Sequence, residues 1–189
     1  MKGVCSFMRR KNTTGKMMMN YIAEALLLLM RNHPYSNITI GNITKKAGVN
    51  RSTYYRHFDS KESVIKFFLS SIMSEYLEAF NGLKYRDFSS YLLTMFQSFY
   101  SHKSELISIH KAGLSFLLLD VFIKYFDFEN ITKKASLKEQ YKISYHLGGI
   151  YNNMLLWFSR ELSETPKEMT EIAVSYGLRD NVTLFNMLK

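Results

Sequence analysis

Turn-forming residues are scarce in this chain, with 2 prolines and 9 glycines among 189 residues. That scarcity disfavours the many tight turns of a sandwich or barrel and favours helices joined by short connections. The single cysteine, Cys5, excludes an intramolecular disulfide and points to a reducing cytoplasm. Long apolar runs are lacking too. The nearest candidate, residues 17–30, follows Arg9, Arg10, Lys11 and Lys16 as the core of a signal peptide would. Asn20 and Glu24 interrupt it, Arg31-Asn32-His33 stand where a cleavage site needs small residues, and it is too short to span a bilayer. A cytoplasmic protein with no membrane partner is expected. His102, His110 and His146 lack metal-ligand spacing with each other or with Cys5, and neither a glycine-rich phosphate loop nor a Ser/His/Asp grouping is recognisable. No catalytic residue, metal or cofactor is therefore expected, and the chain does not read as an enzyme.

What is present is unevenly placed. Lysine and arginine number 25 against 16 acidic residues, and 12 of the basic but only 3 of the acidic residues fall within residues 1–68. The remaining positions balance. A positive charge confined to one end points to a polyanionic partner for that end.

Helical periodicity divides the chain into an all-α series. Residues 1–13 read as a flexible basic leader. A helix follows over 14–30, stopped by Asn32-His33-Pro34. Two short helices, 40–47 and 51–57, flank a Gly48-Val49-Asn50 turn, with Thr39 and Asn50 as their N-caps. Asp59 or Ser60 can cap the next helix, over 60–80, and Asp59 with Glu62 has capping-box spacing. Longer helices are expected over 87–101, 104–127 with a break near Ile109, 136–163 and 166–177. Thr165, Pro166 and Glu168 mark the last start, and Gly177 its end. Residues 14–68 thus form a three-helix, helix-turn-helix head, and 69–189 a helical-bundle body. The continuous 60–80 helix joins the two.

Two short helices around a glycine turn have the geometry that lays the second helix in the major groove. Arg51, Ser52 and Thr53 can reach base edges or phosphates, Tyr55 and His57 offer donors near the backbone, and Val49, Tyr54 and Phe58 anchor the helix from beneath. Thr39 and Lys45 on the preceding helix and Lys61 at the start of the next complete the candidate DNA-binding set. Lys61 adds charge beside free helix N–H groups, where a phosphate can sit.

The run Ile43-x-x-x-Ala47-Gly48-Val49-x-x-x-Thr53-x-Tyr55-x-His57-Phe58-x-Ser60-Lys61-Glu62 resembles the DNA-binding signature of TetR/AcrR-family transcription regulators. The resemblance implies that Thr53, Tyr55, His57 and Lys61 touch phosphates or bases, that Arg51 and Ser52 vary with operator sequence, and that a homodimer binds a palindromic operator in double-stranded DNA. Two residues depart from the pattern. Gly41 stands where a basic or polar residue is frequent, removing one DNA contact, and Thr44 replaces a customary alanine, its hydroxyl free to bond back to a carbonyl one turn earlier.

For the body the resemblance implies dimerisation and sensing. Residues 67–126 hold 14 Phe and Tyr, enough to line a pocket for a mostly apolar effector, although an aromatic core explains any single ring equally simply. Gln97, Tyr100, His110, Phe116, Tyr145, His146 and Asn152 are the candidate effector contacts. Gly148 and Gly149 within a helical pattern suggest close helix approach. With Tyr151, Leu155, Phe158, Met169, Ile172 and Tyr176 they form the candidate dimer interface. A sequence-specific regulator, acting as a repressor released by an effector in the body, is the first reading. An activator or co-regulator controlled by a partner protein is the alternative, and the residues leave both open.

Overall fold

The computed structural model describes residues 3–176. Ten α-helices and one 3-10 turn make up the regular structure among these residues, with no strand. Two compact units divide between Phe68 and Leu69.

The first unit is built on α1 (Gly3–Met30), which begins inside the segment expected as a flexible leader. Its Ile22, Ala23, Ala25, Leu26, Leu27 and Met30 are buried. Glu24 and Leu28 are exposed, as a surface helix requires. After a 3-10 turn at Tyr35–Asn37, α2 (Ile40–Ala47) and α3 (Arg51–His57) occupy the expected spans. Thr39 caps α2 through a capping box with Asn42, not with an acidic residue: the Thr39 side chain accepts from Asn42 N–H, and the Asn42 side chain accepts from Thr39 N–H. Gly48, at φ 66°, ends α2 in the left-handed region that a β-carbon disfavours. Asn50 holds the N-cap position of α3, but its side chain makes no capping bond. The fourth helix, α4 (Lys61–Asn81), contains the division between the units. Its cap is Ser60, whose hydroxyl accepts from Ser63 N–H at 3.1 Å while the Ser63 hydroxyl accepts from Ser60 N–H. The expected Asp59–Glu62 box does not form, because Glu62 is engaged elsewhere.

The second unit continues with α5 (Phe88–Tyr100), α6 (Lys103–Lys111), α7 (Leu117–Tyr125), α8 (Phe128–Lys134), α9 (Leu137–Ser159) and α10 (Pro166–Ser175). The helix expected over 104–127 is broken at Gly113, φ 74°, rather than at Ile109, which is buried within α6. Helix α10 packs on α5, and α6 on α9. The core is aromatic: Tyr76, Phe80, Tyr91, Phe96, Phe99, Phe122, Phe126 and Trp157 are all buried. Phe96 meets Trp157 edge-on at 5.5 Å between centroids, and Phe99 meets Phe122 at 6.1 Å.

Between α9 and α10 the chain turns through Glu161 (φ 56°) and Leu162 (φ 49°), two non-glycine residues in the left-handed region. Three tethers hold this corner. Lys103 Nζ donates to the Leu162 carbonyl at 2.8 Å, Lys111 pairs with Glu161 at 2.7 Å, and Trp157 Nε1–H donates to the Glu164 carbonyl at 3.1 Å. Thr165 then caps α10 through its expected box with Glu168, and Pro166 takes the first turn. Gly177, expected to end this helix, lies outside the described residues. Among the described residues no helix is long and apolar enough to cross a membrane.

Candidate nucleic-acid interface

Tyr54 fixes how α3 lies in the first unit. Its side chain is 0 % exposed, with the Phe58 ring 5.9 Å away and the Phe58 ring in turn 5.7 Å from Phe67 on α4. Burial pushes the Tyr54 hydroxyl up to about 12, so it stays neutral. With one face of α3 anchored in this way, the other must face outward, because successive residues advance about 100° around a helix. Arg51, Ser52, Tyr55 and Arg56 are all exposed, Tyr55 by 60 %. Arg56 belongs to this face, yet sequence reading passed it over. Its spacing of four and five residues from Ser52 and Arg51 was the available signal.

The remaining candidates are more constrained. Thr53 and His57 are half-buried. The His57 ring packs beside α1, where its Cε1 would lie 3.6 Å from a methyl group at Gly15. Lys45 is exposed at the end of α2 beside the equally exposed Lys46. Thr39 is exposed but engaged as the cap of α2. Thr44 Oγ1 donates back to the Gly41 carbonyl at 3.3 Å, as expected for a threonine replacing alanine.

Lys61 differs most from expectation. Its ammonium donates 2.8 Å hydrogen bonds to the carbonyls of Tyr35 and Ile38, and two of its three protons are thereby taken. The neighbouring Tyr35 hydroxyl donates to Glu62 at 2.6 Å. That bond holds the Glu62 carboxyl below its ordinary range, while burial and the adjacent carboxylate push the tyrosine up. A tyrosine, a lysine and a glutamate thus clamp the connection before α2 to the first turn of α4. The clamp sets the frame that carries the exposed face of α3.

The seven effector candidates are not brought together. Gln97, Phe116, Tyr145 and Asn152 are exposed, Phe116 by 56 % and Tyr145 by 73 %. Tyr100 is half-buried and stacks on Trp157, and His110 bonds to the Ser115 hydroxyl at 3.0 Å. Only His146 is fully buried, between Phe88 and Tyr91, with its Nε2 3.4 Å from the Tyr91 hydroxyl. Burial pushes its imidazole down to about 4, so it is neutral.

The dimer candidates separate by face. Phe158 and Met169 are buried inside the unit and offer no surface to a second copy. These two assignments are corrected, since Phe158 stacks on Phe99 and α10 turns Met169 inward. Tyr151 and Leu155 are half-buried. Gly148 and Gly149 have no other atoms within 4 Å of where a β-carbon would be, so the close approach expected of them does not occur within this chain. Around them the outer face of α9 carries exposed Leu137, Tyr141, Tyr145 and Leu156, while Ile172 and Val174 of α10 and its C-cap residue Tyr176 are also exposed. Of these seven, Ile172, Tyr176 and Tyr145 are the ones whose apolar surface the sequence points to an interface, Tyr145 being also a candidate effector contact.

A buried tyrosine beneath a helix-turn-helix whose outer face is basic and polar is an arrangement suited to laying α3 in a DNA groove. The family model described as bacterial regulatory proteins, tetR family, matches residues 22–66, the stretch that holds α2, α3 and the start of α4. No match is found among curated proteins. Solved structures share the fold over nearly the full length. A TetR transcriptional regulator from Streptococcus agalactiae aligns with a TM-score of 0.58 at 16% identity, covering 89% of this chain and 97% of its own. A TetR-family transcriptional regulator from Syntrophomonas wolfei gives 0.62 at 18%, covering 88% and 96%. The dihydroxyacetone kinase operon activator DhaS gives 0.60 at 17%, covering 86% and 95%.

Proposed function

We propose that this DNA-binding regulator works as a homodimer on a palindromic operator. Arg51 and Ser52 read bases, and Thr53, Tyr55, Arg56, His57 and Lys45 hold the backbone. The observation that carries this reading is the two-sidedness of α3, with Tyr54 wholly buried and Arg51, Ser52, Tyr55 and Arg56 exposed at helical spacing. Basic charge concentrated in residues 1–68 supports it. Lys61 serves as a positioning residue through its bonds to Tyr35 and Ile38.

The second copy docks on the exposed stripe of α9 and α10. Glycines with open space above them let two helices approach closely, and an operator with two half-sites needs two heads at fixed spacing. Repression relieved by an effector in the aromatic body is the reading of control. A neighbour of the same fold is described as an operon activator, which favours activation as the second reading. The test is selection from random duplex DNA followed by affinity measurements against salt. Recovery of a two-fold sequence whose affinity falls steeply with ionic strength is expected; absent or salt-insensitive binding overturns the reading.

A further inference from the structure

Gly41 is the second residue of α2, and the space above it is occupied by the end of Arg51. A β-carbon at Gly41 would stand 2.8 Å from Nη2 and 3.7 Å from Cζ of the Arg51 guanidinium. The shorter distance is one that a β-carbon essentially never adopts to a non-bonded atom. The glycine therefore opens a notch on α2 that receives the guanidinium of the first residue of α3. Thr39 Oγ1 flanks the same notch, 3.5 Å from the β-carbon position. Arg51 is exposed and takes part in no ion pair among the described residues, so the notch is what distinguishes its surroundings from free solvent.

We infer that Gly41 is a specificity-determining residue: it sets the direction from which Arg51 approaches DNA, and base preference is written across the Gly41–Arg51 pair. The inference rests on the reading of α3 as the base-reading helix and names the residue that tunes it. An arginine side chain is long and loses considerable rotamer freedom when it is fixed against a base pair. A guanidinium already resting in a notch begins from fewer conformations, and its planar fork meets the bases from one side. Filling the notch leaves the helices where they are, because the atom displaced is the far end of a flexible side chain. The head should stay folded while its reading changes.

A purely architectural glycine gives a different result. Near the start of a helix, alanine in place of glycine favours the helix, and a residue with no part in reading would leave base preference as it was. The experiment is selection from a random duplex DNA library by the full chain, with Gly41→Ala, Gly41→Ser, Arg51→Ala and the double variant Gly41→Ala/Arg51→Ala, each checked by thermal melting. Gly41→Ala is expected to melt no lower than the parent. It should keep the same salt dependence and change the preference by about fivefold or more at the base positions that Arg51→Ala relaxes. In the Arg51→Ala background it should change nothing further. Gly41→Ser, which also fills the notch, should reproduce the altered preference if the alanine variant melts early. The inference is overturned if both Gly41 variants keep the parental preference while Arg51→Ala relaxes it. It also falls if Gly41→Ala alters preference equally in the absence of Arg51. If Arg51→Ala itself leaves preference untouched, the base-reading role of Arg51 fails first and the inference falls with it, a pattern distinct from the other two.

Discussion

The Lys61 ammonium holds Tyr35 in two ways at once: it lies 4.1 Å from the centre of the Tyr35 ring and donates a 2.8 Å hydrogen bond to the carbonyl of the same residue. A lysine engaged in this way is a strut, and its removal should be felt in stability before it is felt in phosphate binding. Lys61→Ala is expected to lower the stability of the first unit by about 1–3 kcal/mol. The slope of log affinity against log salt should stay that of the parent, where loss of a phosphate contact would reduce it by about 1. Chemical denaturation and DNA titrations at several salt concentrations check both halves.

On the outer face of α3 the exposed side chains have separable roles. Arg51→Ala should cost about 1–3 kcal/mol on the preferred sequence and relax discrimination at the bases it reads. Tyr55→Phe should weaken binding to all sequences alike, since a backbone contact positions without specifying. Parallel selections with the two variants separate these outcomes, and unchanged preference for Arg51→Ala would reassign base reading to other residues.

Buried neutral His146 makes stability depend on pH in a definite direction. Its imidazole is pushed from 6.5 down to about 4, so between these values the unfolded chain takes up a proton that the folded chain refuses. This contribution to stability is complete above about pH 6.5 and is lost as pH falls through 4, by about 3 kcal/mol in all. Denaturation midpoints measured across that window should fall with acid in the parent. They should fall less in His146→Phe, which keeps a ring against Phe88 and Tyr91 and removes the titrating group.

Charge placed on the two faces of α9 should have opposite consequences. Gly149→Glu and Leu156→Glu lie on the exposed face, where Leu156 is 61 % exposed, and are expected to leave a folded chain that is monomeric by light scattering and no longer binds a two-fold operator. Phe158→Glu puts an unpaired charge at a position 3 % exposed and should unfold the second unit. A dimer of unchanged mass in both surface variants would move the interface elsewhere.

What was legible in the sequence was local. Thr39, Gly48 and Thr165 mark helix ends through bonds that reach three or four residues, so their chemistry can be read from neighbours alone. The partners of Lys61 lie 26 and 23 residues away in the chain, and nothing in its immediate surroundings points to them. Periodicity also failed where both sides of a helix are apolar. On α9, Ile143, Leu147, Ile150 and Met154 face the core while Leu137, Tyr141, Tyr145 and Leu156 do not, and a hydrophobic pattern cannot rank two apolar stripes. The pattern therefore offers Tyr145 to both an effector site and an interface, and offers Phe158 to an interface although it is buried in the core. The notch at Gly41 was visible only as a missing side chain, because what occupies it comes from the next helix.

The corner between α9 and α10 carries a consequence for the order in which the second unit assembles. Glu161 and Leu162 hold left-handed backbone that neither residue favours by itself. Lys103 and Lys111 of α6 hold that conformation in place, and the Lys103 bond closes across 59 residues. An isolated α9–α10 hairpin keeps the Trp157–Glu164 bond but lacks both lysines, two of the three tethers that hold its bend. Docking of α10 is therefore expected to come late in folding, so that substitutions at Lys103 should speed unfolding far more than they slow folding when both rates are measured by stopped flow.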